Sequence, residues 1–138
     1  MDEQARLELA RDWLTRGSRD LAAARALAAL SEPLLDSAIY HCQQAGEKAL
    51  KGWLQMQDQP FPKTHDLEQL VSQAARLDPE FRQHLPAAAT LTPYASAFRY
   101  PGGAFGPMPS QEEFDEALGY AQVIYDFVLV KLSKEARP

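Results

Sequence analysis

One stretch of the sequence repeats apolar and small residues at intervals of three and four, and no other feature constrains the fold as strongly. The stretch spans residues 32–57, and its repeating residues are Leu35, Ala38, Ile39, Cys42, Ala45, Gly46, Ala49, Leu50 and Trp53. Such spacing places them on one side of an α-helix. Pro33 suits the start of this helix, and the prolines of "DQPFPKT" suit its end.

Three further segments carry helical patterns. Residues 2–29 are rich in Ala, Leu, Arg and Glu and predict a long first helix, which Gly17 and Ser18 could bend. The segment "THDLEQLVSQAARL" predicts a short helix that Thr64 or His65 opens. Ser110 and Glu113 form a capping box, from which a last amphipathic helix runs to about residue 134.

Two stretches break the helical pattern. Asp78 and Pro79 restart a helix that Pro86 and Pro93 should kink or interrupt. The segment "RYPGGAFGPMPS" is too rich in proline and glycine for regular structure and predicts a loop. Because no alternation with a period of two occurs, the sequence predicts an all-α fold. We expect an antiparallel up-and-down bundle of four main helices with a short or broken fifth segment.

Length and charge bound the functions open to the chain. Its 138 residues suffice for one substantial core, so residues 1–138 should form a single domain. The formal charge of -5 repels polyanions, so nucleic acid could bind only at a local basic patch. A single cysteine, an N-terminus without signal-peptide features and the lack of a spanning apolar run predict a cytoplasmic protein without a membrane segment.

The polar residues of the second helix can be explained by ordinary structural roles, without a functional site. Glu47 and Lys51 stand at i and i+4, as in a surface ion pair. Cys42 lies within the apolar stripe, where a free cysteine usually packs as a small hydrophobe. The histidines are too dispersed for a local metal-binding pair, and neither a phosphate-binding loop nor a hydrolase elbow occurs. We therefore expect no metal and no cofactor.

Several short motifs occur in a specific order: "CQQAGEKALKGWL", "PKTHDLEQL", "AFRYP" and then a capped C-terminal helix. In this order they resemble the HEPN domain family, the higher eukaryote and prokaryote nucleotide-binding domains, over about residues 8–133. The resemblance implies a helical bundle that commonly dimerises. It also implies action beside a small nucleotidyltransferase, as in toxin-antitoxin-like systems.

Some toxin-like branches of the family are metal-independent ribonucleases that use an Arg, a polar residue and a His four to six residues after the Arg. Arg99 is present, but residues 103–106 are Gly, Ala, Phe and Gly, so the expected acid/base group is absent. His65 could reach Arg99 across the bundle or across a dimer and restore the pair. Alternatively, His65 could cap the third helix beside Asp66.

Arg99 itself has two interpretations. Its guanidinium suits bidentate contact with phosphate, with Tyr94, Tyr100 and Phe105 as stacking surfaces. Alternatively, it could form a structural salt bridge, for example with Glu47. Together with Arg99, three lysines could form a local positive cleft: Lys48, Lys51 and Lys63.

Our leading hypothesis from the sequence is a non-catalytic module that homodimerises and binds a nucleotide, an RNA or a nucleotidyltransferase partner. The predicted ligand-binding residues are Lys48, Lys51, His65, Arg99 and Tyr100, and the predicted supporting residues are Gln44, Glu47 and Asp66. A ribonuclease that uses Arg99 and His65 is one alternative, and a purely structural interaction bundle is another.

Overall fold

The chain folds entirely into helices in a computed structural model that describes all 138 residues. The α-helices are α1 (Glu3–Ala28), α2 (Leu35–Met56), α3 (Leu67–Leu77), α4 (Leu85–Leu91) and α5 (Gln111–Lys131); short 3-10 helices span Pro79–His84, Thr92–Ala95 and Lys134–Ala136. The prediction of an all-α bundle is confirmed. No helix combines the length and the apolarity needed to cross a membrane.

Helix α2 lies at the centre of the bundle and packs against α1, α3, α4 and α5. Every residue of the predicted apolar stripe is buried, as its helical spacing requires. Gly52 of this helix allows close packing, because a Cβ there would lie 2.3 Å from Leu14 Cδ2 of α1. Helix α1 continues through Gly17 without a break, and a Cβ at Gly17 would lie 3.3 Å from the ring of Tyr125 on α5.

The helix start at Asp78 and the breaks after it follow the prolines, as predicted. The Asp78 side chain caps the 3-10 helix that begins at Pro79. Pro86 and Pro93 lie in the first turns of α4 and of the next 3-10 helix, where proline needs no helical hydrogen bond. The segment therefore turns repeatedly and covers one side of α2.

Helix α3 begins differently from the prediction. Its N-cap is Asp66, whose carboxylate accepts a hydrogen bond from Gln69 N at 3.3 Å. Thr64 instead accepts from the Asp66 backbone N–H at 3.0 Å and so fixes the turn before the helix. His65 consequently does not cap the helix, and its side chain is free for another contact.

The capping box of α5 is present as predicted, since Ser110 and Glu113 exchange hydrogen bonds of 3.0 and 3.1 Å. The helix ends at Lys131, earlier than expected, because Leu132 is extended. Before α5, residues 99–110 form the predicted loop. Phe98, at its start, has a φ of 66°, a backbone conformation that is costly for a bulky residue, and the loop leaves the bundle there.

Candidate functional site

A buried polar network lies on one face of α2. Glu47 Oε1 lies 2.7 Å from His65 Nδ1 and accepts from Gln43 Nε2 at 3.2 Å, while Glu47 Oε2 accepts from Lys51 Nζ at 3.0 Å. Glu47 and Lys51 are only 4% and 7% exposed. The predicted ion pair is therefore present, but the prediction that it lies on the surface is wrong.

The chain before α3 explains this burial. It crosses α2, and Phe61 lies with Trp13 of α1 around the Lys51 ammonium, each ring centroid 5.8 Å from Nζ. The aromatic faces attract the cation that they shield from water. Lys51 is thus enclosed by Glu47, Trp13 and Phe61 and does not face an open cleft.

His65 is held at two points while its ring remains open to solvent. Its backbone carbonyl accepts from Gln43 Nε2 at 2.9 Å, and its Nδ1 contacts Glu47. The side chain is nevertheless 70% exposed. Nδ1 is therefore occupied, and the other ring nitrogen, Nε2, faces solvent without a hydrogen-bond partner in the protein.

Two other predicted supporting residues have local structural contacts. Gln44 is buried and donates to Gln43 Oε1 at 2.7 Å, which orients the Gln43 amide toward Glu47 and His65. Asp66 caps α3 and thereby sets the end of the segment that carries His65. Both residues act on the position of His65 through their neighbours.

Arg99 stacks on an aromatic ring instead of forming a salt bridge. Its Cζ lies 4.1 Å from the centroid of the Tyr40 ring on α2, a cation-π contact. No hydrogen bond or ion pair joins Arg99 to Glu47, whose oxygens are occupied by other groups. The Arg99 side chain is exposed. With Asp36, Ser37 and Phe98 it lines a cavity of about 180 Å³.

Two exposed aromatic residues lie in the loop that begins at Arg99. Tyr100 is 73% exposed and Phe105 is 54% exposed, and the Phe105 ring packs edge-on against Phe98. Tyr94, the third predicted stacking residue, is instead buried and stacks on Phe98. The loop thus carries one exposed cation and two exposed aromatic side chains.

His65 and Arg99 lie toward one side of the molecule but do not touch. Their contacts on α2, Glu47 and Tyr40, are seven residues apart, which is nearly two turns and about 10 Å along the helix axis. A ligand longer than a single phosphate group is needed to reach both residues.

Lys48 belongs to a different cluster on the opposite flank of α2. Its Nζ lies 2.7 Å from Asp20 Oδ2, and His41 Nδ1 lies 2.8 Å from Asp20 Oδ1. Asp20, on α1, is buried at 6% exposure. The structure does not bring Lys48 to His65 and Arg99, and it ties α1 to α2 by a buried carboxylate that sequence reasoning missed.

The signal for Asp20 is present in the sequence. Asp20 continues the spacing Trp13, Gly17, Asp20, Ala24 on the inner side of α1, where a charged residue needs a partner.

Lys63 is exposed and has no hydrogen-bond partner in the protein. Of the five predicted ligand-binding residues, His65, Arg99 and Tyr100 are exposed.

No cluster of three His, Cys, Asp or Glu side chains is close enough to hold a metal ion. Cys42 is fully buried, and burial raises the pKa of its thiol to about 12, so the thiolate needed for nucleophilic chemistry is disfavoured. The chemistry open to the exposed groups is thus hydrogen bonding, phosphate contact, stacking and proton transfer at His65.

Comparison with known proteins agrees with the fold. The family described as HEPN domain matches residues 10–133. The crystal structure of TT1696 from Thermus thermophilus is similar at 30% identity and a TM-score of 0.72, over 89% of this chain and 98% of that one. The crystal structure of ST0689, an archaeal HEPN homologue, is similar at 26% identity and a TM-score of 0.73, over 90% and 98%. No curated protein matches.

Proposed function

The chain belongs to the HEPN domain family, and from this premise we propose that it is a non-catalytic module that homodimerises and binds a nucleotide or RNA, alone or with a nucleotidyltransferase partner. The observation that carries the ligand proposal is the exposed guanidinium of Arg99, held over Tyr40 beside the open ring of Tyr100. Such an arrangement offers bidentate phosphate contact and base stacking at one place.

The absence of an acid/base group after Arg99 favours binding over catalysis. Residues 103–106 are Gly, Ala, Phe and Gly, and none of them can transfer a proton. Of the three lysines predicted for the cleft, Lys48 and Lys51 are paired with buried carboxylates. Arg99 is therefore the main cation available to a ligand at this site.

Fluorescence anisotropy with a labelled single-stranded RNA of about eight nucleotides, within the usual span of a single-strand site, tests the ligand proposal. Arg99→Ala should weaken binding about tenfold or more, because a charged hydrogen-bonding group is worth roughly 1.5–3 kcal/mol. The matched control is Arg82→Ala, because Arg82 is also exposed and forms no ion pair in the structure. Equal affinities of the wild type and Arg99→Ala, or no binding by the wild type, would overturn the ligand proposal.

The partner and dimer proposals have separate tests. Light scattering of the purified protein should give twice the 15.4 kDa of one chain. The partner proposal expects a nucleotidyltransferase reading frame beside this one, and co-expression of the two proteins should yield a complex that co-purifies. A monomer overturns the dimer proposal, and separate elution of the two proteins overturns the partner proposal.

A ribonuclease is the second candidate function, and the Glu47–His65 contact favours it. A carboxylate on Nδ1 with an open Nε2 is the arrangement that a histidine general base uses. In that case Arg99 would stabilise charge on the phosphate. Expression should then arrest growth, and Arg99→Ala and His65→Ala should each abolish the arrest. Intact RNA after long incubation with the wild type would exclude it.

A further inference from the structure

The buried carboxylate of Glu47 fixes which nitrogen of His65 carries the proton. A carboxylate accepts hydrogen bonds and does not donate them, so the 2.7 Å contact places the hydrogen on His65 Nδ1. In the neutral imidazole, Nε2 is then unprotonated and acts as an acceptor. Lys51 and Gln43 also donate hydrogen bonds to Glu47 and keep it in place as that acceptor.

The position of the ring is fixed as well as its tautomer. Gln43 holds the backbone carbonyl of His65, and Gln44 orients Gln43. Asp66 then begins α3 directly after His65. An exposed side chain anchored to a buried network loses little conformational freedom when a ligand binds.

An exposed, oriented acceptor suits a ligand group that donates a hydrogen bond. Among the groups of a nucleic acid backbone, phosphate oxygens only accept, whereas the ribose 2′-hydroxyl donates and accepts. Deoxyribose has no hydroxyl at this position. The α2 residues that Arg99 and His65 contact, Tyr40 and Glu47, lie about 10 Å apart along the helix axis. A single strand of a few nucleotides can span that separation, with Arg99 as the phosphate contact.

We propose that His65 Nε2 accepts a hydrogen bond from a ribose 2′-hydroxyl, so that this site selects single-stranded RNA over DNA. The proposal rests on the nucleotide-binding function proposed above and assigns the sugar specificity of that same site. Glu47 is a positioning residue in it, because it acts on the ligand only through His65. No covalent step is involved.

Three octanucleotides of one sequence provide the test: RNA, DNA and 2′-fluoro RNA. The fluoro strand retains the RNA-like sugar pucker but lacks the hydroxyl donor. Measured by anisotropy, the wild type should bind RNA about 2- to 12-fold more tightly than either other strand, the ratio expected for one hydrogen bond.

His65→Asn separates the role of Nε2 from that of the buried network. The asparagine amide can still donate to Glu47 from the position of Nδ1, but no acceptor remains at the position of Nε2. Because His65 is exposed, the variant should fold. It should bind DNA as the wild type does and bind RNA no better than DNA.

His41→Asn is the matched control. His41 also contacts a buried carboxylate, Asp20, through Nδ1 and lies on the opposite flank of α2. This variant should retain the wild-type preference for RNA. A wild type without preference, or a His65→Asn variant that retains it, overturns the proposal while the binding function stands. Failure of all three strands to bind overturns both.

Discussion

Cys42 lies in the centre of the core, where the surroundings of one residue decide its reactivity. Its side chain is fully buried, and desolvation raises the pKa of the thiol from 9.0 to about 12. We expect iodoacetamide to alkylate the folded protein at about pH 8 at least roughly a hundredfold more slowly than the protein unfolded in guanidinium, because reaction requires local opening. Mass spectrometry over time measures both rates, and similar rates would contradict the buried position.

His84 provides a second residue-level prediction, on pH. Its side chain is 5% exposed, its Nε2 has no partner, and burial lowers its pKa below 6.5. Below that value the unfolded chain binds a proton that the folded chain resists. The contribution of His84 to stability is therefore complete above pH 6.5 and is lost as the pH falls toward the folded pKa.

The variant His84→Leu tests this sign. Urea unfolding at about pH 7.5 and about pH 5.5 should show a smaller loss of unfolding free energy on acidification in the variant than in the wild type. The ring packs on Phe127 with centroids 4.4 Å apart, and leucine preserves part of that packing. Equal losses in the two proteins would show that His84 binds a proton as readily in the folded chain as in the unfolded chain.

Single contacts close in sequence could be predicted, and contacts between distant segments could not. The spacing of Glu47 and Lys51 predicts their pairing, which the structure contains. Their burial depends on Phe61 and Trp13, which arrive from other elements. The contact of His65 with Glu47 likewise depends on the path of the chain before α3, which no local pattern specifies.

At the level of helices, two glycines with opposite surroundings give a paired prediction. A Cβ at Gly52 would lie 3.1 Å from Trp13 Cβ as well as against Leu14, whereas a Cβ at exposed Gly119 on α5 would have no neighbour within 4 Å. Gly52→Ala should lower the free energy of unfolding by about 1–3 kcal/mol through overpacking. Gly119→Ala should raise it by about 0.5–1 kcal/mol through helix propensity.

Urea unfolding of both variants against the wild type measures the two changes. Because the substitution is identical, the difference between the variants isolates the packing between α1 and α2. A gain in stability from Gly52→Ala would mean that the two helices separate at little cost.

Which segments form helices was predicted well, because capping and spacing act locally. Where the helices begin and end was predicted less well. Three consecutive residues, Thr64, His65 and Asp66, precede α3, and the sequence favoured the first two. All three are polar, so the backbone path decides which one caps. In the structure Asp66 accepts from Gln69, which leaves His65 for Glu47. A small shift in register thus changes the interpretation of the site.

At the level of the whole molecule, most cations near α2 are already neutralised. Lys48 and Lys51 pair with Asp20 and Glu47, and the chain carries a net charge of -5. The sequence predicted a positive cleft by counting lysines, but their pairing partners come from the folded arrangement around them. Binding of RNA should then depend on stacking and hydrogen bonds more than on charge.

The salt dependence of RNA binding tests this balance. Each phosphate contact with a single strand contributes about -0.7 to the slope of log affinity against log salt. The unpaired cations of the predicted cleft are Arg99 and Lys63, which lies two residues before His65 in the chain, so the wild-type slope should lie between about -0.7 and about -1.4. Arg99→Ala should reduce the magnitude by about 0.7, and Arg82→Ala should not change it. A slope clearly steeper than about -1.4 would require further cations, such as Lys48 and Lys51, to leave their carboxylates and contact the strand, because two cations cannot release that many counterions.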